Sequence, residues 1–232
     1  MEVSGISVEV VRKPIKNLHL AVYPPEGRVR VSAPLRIADE AVRLAVISKI
    51  RWIRRHQNTF ANQPRQSQRE MVSGESHYFL GRRYRLRVLE HDGPSRISRN
   101  GNTELTMQVR PGTGRDKREQ VLNEWYRRHM KALVSDLIAQ WQPVIGVRVA
   151  DWGIKKMKTR WGSCNIRDYR VWLNLELAKK PPHCLEYVLV HEMVHLLERN
   201  HNERFKALMD QFMPQWRLYR DELNQVPLAH EE

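Results

Sequence analysis

Apolar residues alternate with polar ones through the first part of the chain. ISVEVV (Ile6 to Val11), LHLAVYP (Leu18 to Pro24) and RVRVSAP (Arg28 to Pro34) repeat on the two-residue period of strands with one buried face. PPEG turns the chain between the last two, so the pattern predicts a small antiparallel meander. The period then lengthens. Asp39 is placed to cap a helix through AVRLAVISKIRWIRRH, whose apolar stripe is set against Arg43, Lys49, Arg51, Arg54 and Arg55. Asn58 to Ser76 follows neither period and reads as a connection. Alternation resumes in HYFLGRRYRLRVLEHDG, a hairpin turning at Gly81 and Arg82 with a second turn at Asp92 and Gly93, and again in the strand Glu104 to Pro111.

From about Arg115 the helical period takes over, carried by Val121, Leu122, Trp125, Met130, Leu133, Val134, Leu137 and Ile138 until Pro143 and Gly146 end it. Val147 to Lys158 predicts a short strand pair, and YRVWLNL a strand entered through a turn at Asp168. The segment Val171 to Leu175 reads equally as sheet interior or as an edge that pairs with an extended peptide. Pro181 and Pro182 close the strand region, with Pro182 in the first turn of a largely apolar helix, HCLEYVLVHEMVHLLERN. The expected fold class is therefore α+β. A β-rich region with one basic helix spans residues 1–112, and a helical catalytic region spans 113–232, the two packed as one unit.

Composition narrows the classes. A chain of 232 residues with 41% apolar and 28% charged residues can bury a core and is neither disordered nor membrane-spanning. The N-terminus lacks the basic-then-apolar order of a secretory signal, so a cytoplasmic location is expected. Two cysteines, Cys164 and Cys184, match no zinc-knuckle spacing and are expected as free thiols. The net charge is +14, and residues 1–110 hold twenty Lys and Arg against ten Asp and Glu, a bias toward nonspecific contact with DNA or acidic surfaces. No nucleic-acid-binding motif accompanies it.

The candidate chemistry lies in the apolar helix. His191 and His195 are four residues apart, so their imidazoles share a helical face and can reach one ion, with Glu192 placed to meet a metal-activated water. Chance matches to HExxH occur in helices. Here, however, Tyr187 to Val190, Met193, Val194, Leu196 and Leu197 make the helix largely buried, where two histidines and a glutamate are costly without a partner. For the third ligand, an unbroken helix would carry His201 about 15 Å above His191. A break at Arg199 and Asn200 can bring it back, and Asn200 with Glu203 resembles a capping box for a second helix. His201 is thus the expected third ligand, with Glu198 and Glu203 as alternatives. His183 and Cys184 read as helix terminus and core. Arg160, Trp161 and Tyr187 are candidates for cleft or oxyanion support, Arg160 foremost.

TRWGSC (Thr159 to Cys164), LNLEL (Leu173 to Leu177), the proline pair, EYVLVHEMVHLLERNHNERF (Glu186 to Phe205) and MPQW resemble the YgjP-like metallopeptidase family, related to the SprT-like and WLM zinc peptidases. The resemblance covers roughly Asp151 to Leu223. It implies a zincin-like domain, with Zn2+ held by His191, His195 and His201 and Glu192 as catalytic base. It also implies supporting residues for the cleft in Trp161 to Cys164. The histidine spacing is also that of metzincins, but Glu198 stands where those have a glycine. The expected activity is a zinc-dependent metallopeptidase acting on a protein or peptide substrate. The alternatives are a metal-dependent hydrolase of a non-peptide amide or nucleotide-derived substrate, and a DNA-associated binding protein that uses its basic N-terminal half.

Overall fold

The alternating N-terminal segments form β1 (Glu2–Val3), β2 (Ile6–Lys13), β3 (His19–Tyr23) and β4 (Arg28–Pro34) in a computed structural model that describes residues 1–23, 26–62 and 69–225. The strands exist as the period predicts, but their order is β1-β2-β4-β3 and not that of a meander. β1 with β2 and β3 with β4 are antiparallel, whereas β4 inserts beside β2 in parallel, Val8 opposite Val29 and Val10 opposite Val31. Val29, Val31 and Ala33 of β4 are fully buried, which explains why this strand takes a place paired on both edges. The predicted basic helix is two helices, α1 (Asp39–Ser48) and α2 (Ile50–Asn62). Lys49 interrupts them, its N–H donating to Val46 O at 3.0 Å before Ile53 N restarts the ladder on Lys49 O at 2.9 Å. Ala38 holds the N-cap position and Asp39 lies in the first turn, where the helix dipole favours an acid, paired with Arg12. Val42, Val46 and Ile53 join the sheet valines in a core of their own.

The second unit begins with β5 (Ser76–Phe79), β6 (Arg82–Glu90), β7 (Arg96–Asn100) and β8 (Glu104–Val109), in the order β5-β6-β8-β7 with β6 and β8 parallel. The first hairpin turns at Leu80 and Gly81, one residue earlier than the pattern suggested, with φ of 49° and 79°. That turn docks on residues 178–181. Leu80 N donates to Ala178 O at 2.8 Å, and a Cβ on Gly81 would come within 2.9 Å of Pro181 Cγ. The long helix α3 (Arg115–Ile145) ends at Gly146 in the left-handed region, with φ of 75°. A three-stranded sheet follows, made of β9 (Asp151–Lys155), β10 (Gly162–Asn165) and β11 (Arg170–Asn174), ordered β10-β11-β9. A 3-10 turn at Leu175–Lys179 leads to α4 (Pro182–Val194), α5 (Glu203–Phe212) and α6 (Trp216–Gln225).

The two compact units divide at Gln66 and Ser67, and not near residue 112. The reason is shared burial: Phe79, Leu86, Leu105 and Met107 of the second sheet lie in one core with Trp125, Tyr126, Leu173 and Leu189. Tyr126 Oη donates to Tyr78 O at 2.7 Å, fastening α3 to β5.

His77 of β5 gives this core a pH response. It is 5% exposed and 3.3 Å from Glu75, and burial, aided by the Arg69 charge and opposed by Glu75, holds its pKa down at about 4. The unfolded chain therefore binds the extra proton first as pH falls. Stability is complete above the ordinary value of 6.5 and declines toward pH 4, by up to about 3 kcal/mol. Urea midpoints at about pH 7.5 and 5 are expected to differ less in His77→Gln than in the wild type; equal differences would remove His77 from this role.

A candidate metal centre

α4 is buried on most of its circumference, with Tyr187, Val188, Leu189 and Val190 covered just ahead of His191. It ends earlier than the apolar run suggests, at Val194, with His195 as C-cap. Leu196 N donates to Met193 O at 3.0 Å and Leu197 N to Val194 O at 2.9 Å, tight turns that swing the chain off the helix axis. The cap of α5 is Asn202, and not Asn200. Its Oδ1 accepts from Phe205 N at 2.9 Å, so His201 lies just outside the helix and not in its first turn.

This route brings three imidazoles to one point. His201 Nε2 lies 2.9 Å from His191 Nε2 and 3.1 Å from His195 Nε2. His195 Nδ1 lies 3.1 Å from Glu198 O, so this nitrogen carries the proton and donates it, leaving Nε2 as a lone pair. One N–H on His201 could satisfy only one neighbour. Tetrahedral Zn2+ at about 2.0–2.1 Å from each nitrogen separates its ligands by roughly 3.3 Å, close to the spacing found, so the residues fit a cation. Burial, then the neighbouring His195 and His201, holds the pKa of His191 down at about 3, and burial lowers that of His195. Both rings are kept neutral, as ligation requires. His191 Nδ1 is buried without a hydrogen-bond partner.

Phe205 was not foreseen. Its ring, 1% exposed, lies 4.9, 4.7 and 4.8 Å from the rings of His191, His195 and His201, an apolar floor under all three. Its place four residues after His201 in HNERF was the available signal.

Glu192 is buried, and burial raises its carboxyl pKa to about 8 against the lowering field of Arg160. It opens on a cleft of about 600 Å³ lined also by the three histidines, Arg160, Trp161 and Tyr187. Tyr187 packs edge-on to His191 at 5.8 Å, and Trp161 lies under Lys180 Nζ at 5.4 Å. Gly162 explains part of the WGSC segment: a Cβ there would lie 2.6 Å from Glu192 Oε1 and 2.9 Å from Val188 Cγ1. Asn174, fully buried, ties the same wall down. Its Nδ2 donates to Met157 O and Arg160 O, both at 2.8 Å, and its Oδ1 accepts from Glu176 N at 3.2 Å. The bond from Glu176 N is a local cap, but nothing in LNLEL announced the partners Arg160 and Met157, which lie 14 and 17 residues away.

β11 pairs on both sides, with β10 and β9, and has no free edge for a peptide. β10 pairs with β11 alone among the described residues, and its Gly162, Ser163 and Cys164 face the cleft. A second group of donors, His183, Cys184 and Glu222, gathers where α4 begins, and His183 Nε2 lies 2.6 Å from Glu222 Oε2. Cys164 and Cys184 are both free.

Residues 16–226 match the family profile described as YgjP-like, metallopeptidase domain. The chain belongs to the YgjP-like family. Comparison with curated proteins gives no match. Among solved structures, the metallopeptidase zymogen abylysin of Pyrococcus abyssi is similar over 41% of this chain and 99% of that one, with 17% identity and a TM-score of 0.38. Membership of the YgjP-like family supports a metal-dependent hydrolase of the metallopeptidase class, and the histidine cluster is consistent with it. No helix among the described residues is long and apolar enough to cross a membrane.

Proposed function

We propose that this protein hydrolyses peptide bonds with one Zn2+ held by His191, His195 and His201 and with Glu192 as general base. The observation that carries the reading is the convergence of three Nε2 atoms, at 2.9 and 3.1 Å about His201, beside a buried carboxyl that forms no ion pair among the described residues. Zinc, when bound, supplies Lewis acidity that polarises a carbonyl and acidifies water. Glu192 accepts the proton of the attacking water and returns it to the leaving amine. Gly162 and Val188 hold that carboxyl in place. Arg160, whose charge already acts on Glu192, is the donor best placed to favour negative charge developing on the carbonyl oxygen. An extended substrate would add to the free edge of β10, the strand that lines the cleft.

Removal of the metal tests this reading. Chelator-treated protein is expected to lose cleavage of a proteome-derived peptide mixture and to regain it on addition of one equivalent of zinc. Undiminished cleavage by demonstrably metal-free protein would refute it.

A further inference from the structure

The walls of the metal cleft carry Arg160, Arg199 and Arg220, and the only carboxylate among the lining residues is Glu192. Arg220 is partly neutralised, its Nε donating to Asp221 Oδ1 at 2.9 Å and its guanidinium lying over Trp216 at 5.2 Å. Arg160 and Arg199 are exposed and form no ion pair with a carboxylate among the described residues. They reach the cleft from unrelated elements. Arg160 lies two residues before the β10 wall that packs on Glu192, with its backbone carbonyl held by Asn174, and Arg199 lies in the turn between His195 and His201. A wall whose arginines outnumber its carboxylates repels cationic segments and attracts anionic ones, and a bound divalent cation strengthens the same field.

Resting on the peptidase reading above, we propose that the cleft selects polypeptide segments bearing aspartate or glutamate beside the bond that is cut, with Arg160 and Arg199 as the specificity-determining residues. Each guanidinium offers a planar fork that can hold a carboxylate through two hydrogen bonds. The selection is electrostatic, so it weakens as salt rises.

The test uses the zinc-loaded full chain and quenched fluorogenic peptides of one parent sequence, with Asp, Ala or Lys at each position flanking the scissile bond. The ratio of kcat/KM for Asp over Lys is expected to be about fivefold at low salt, the upper range for one exposed charge pair, and to shrink at about 0.5 M salt. Arg199→Glu, checked for wild-type zinc content and thermal midpoint, is expected to lower or invert that ratio. Arg160→Glu, at a residue that also faces the developing oxyanion, is read by peptide anisotropy, where it is expected to lower the Asp-over-Lys binding ratio. Equal rates for Asp, Ala and Lys peptides would overturn the proposal while leaving the peptidase reading intact. If no peptide is hydrolysed, the peptidase reading fails. Anisotropy of the same labelled peptides on Glu192→Gln then decides the inference, a preference for Asp supporting it and equal binding ending it. Duplex DNA and a nucleoside triphosphate serve as competitors. Strong inhibition by either, without any Asp preference, would assign the arginines to phosphate and also overturn the proposal.

Discussion

His191→Ala is expected to lose stoichiometric zinc, whereas Glu192→Gln is expected to keep the metal and to lose about 10²–10⁴-fold in peptide hydrolysis. The two residues are neighbours in sequence, but the structure gives them different surroundings. His191 Nε2 stands 2.9 Å from His201 Nε2 inside the imidazole cluster, and removing it leaves two donors where three converged. Glu192 lies outside that cluster, against Gly162 and Val188, with its carboxyl pKa raised to about 8 by burial. The amide of glutamine matches the protonated acid in size, so packing survives while the proton acceptor is lost. Metal analysis of the purified chains beside a peptide cleavage assay reads both effects. Wild-type zinc affinity in His191→Ala, or near-normal turnover in Glu192→Gln, would contradict the assignment.

Gly162→Ala is expected to lower turnover by about 10²-fold, the scale of a misplacement near 1 Å, with zinc content unchanged. The added methyl would come within 2.6 Å of Glu192 Oε1 and 2.8 Å of its Cγ, so the carboxyl must move. Val188 Cγ1, at 2.9 Å on the same face of α4, adds a second close contact beside the carboxyl. The loss should fall on kcat more than on KM, with a stability cost of about 1–3 kcal/mol from overpacking. A control is available in Gly114→Ala, where a Cβ meets nothing within 4 Å. If Gly162→Ala and Gly114→Ala had the same turnover, Gly162 would not be positioning Glu192.

The elements with long, regular periods were legible in advance. α3 begins at Arg115 and ends before Gly146 as its stripe and its terminal glycine indicate, because helix propagation and capping are local, but Pro143, also read as an end signal, lies inside its last turn. β10 and β7 went unread as strands. GSCN and RISRN carry little apolar alternation, and burial in them is one-sided or slight. The division between units was misplaced for a related reason. Phe79, Leu86 and Leu105 look like the rest of a β-rich half, and only their contact with α3 shows which core they enter.

By itself, the sequence determined that His191 and His195 share a helix face, that Glu192 sits beside them in an apolar environment, and that the chain must bend before His201. These follow from the 3.6-residue period and the cost of burying polar groups alone. Tertiary structure decided where the bend falls: α4 stops at Val194, Asn202 caps α5, and Phe205 floors the three rings. It also decided that β4 lies beside β2, that β10 pairs with β11 alone among the described residues, and that Asn174 holds the backbone of Arg160. Those outcomes depend on contacts between segments far apart in the chain, whose energies no local period encodes.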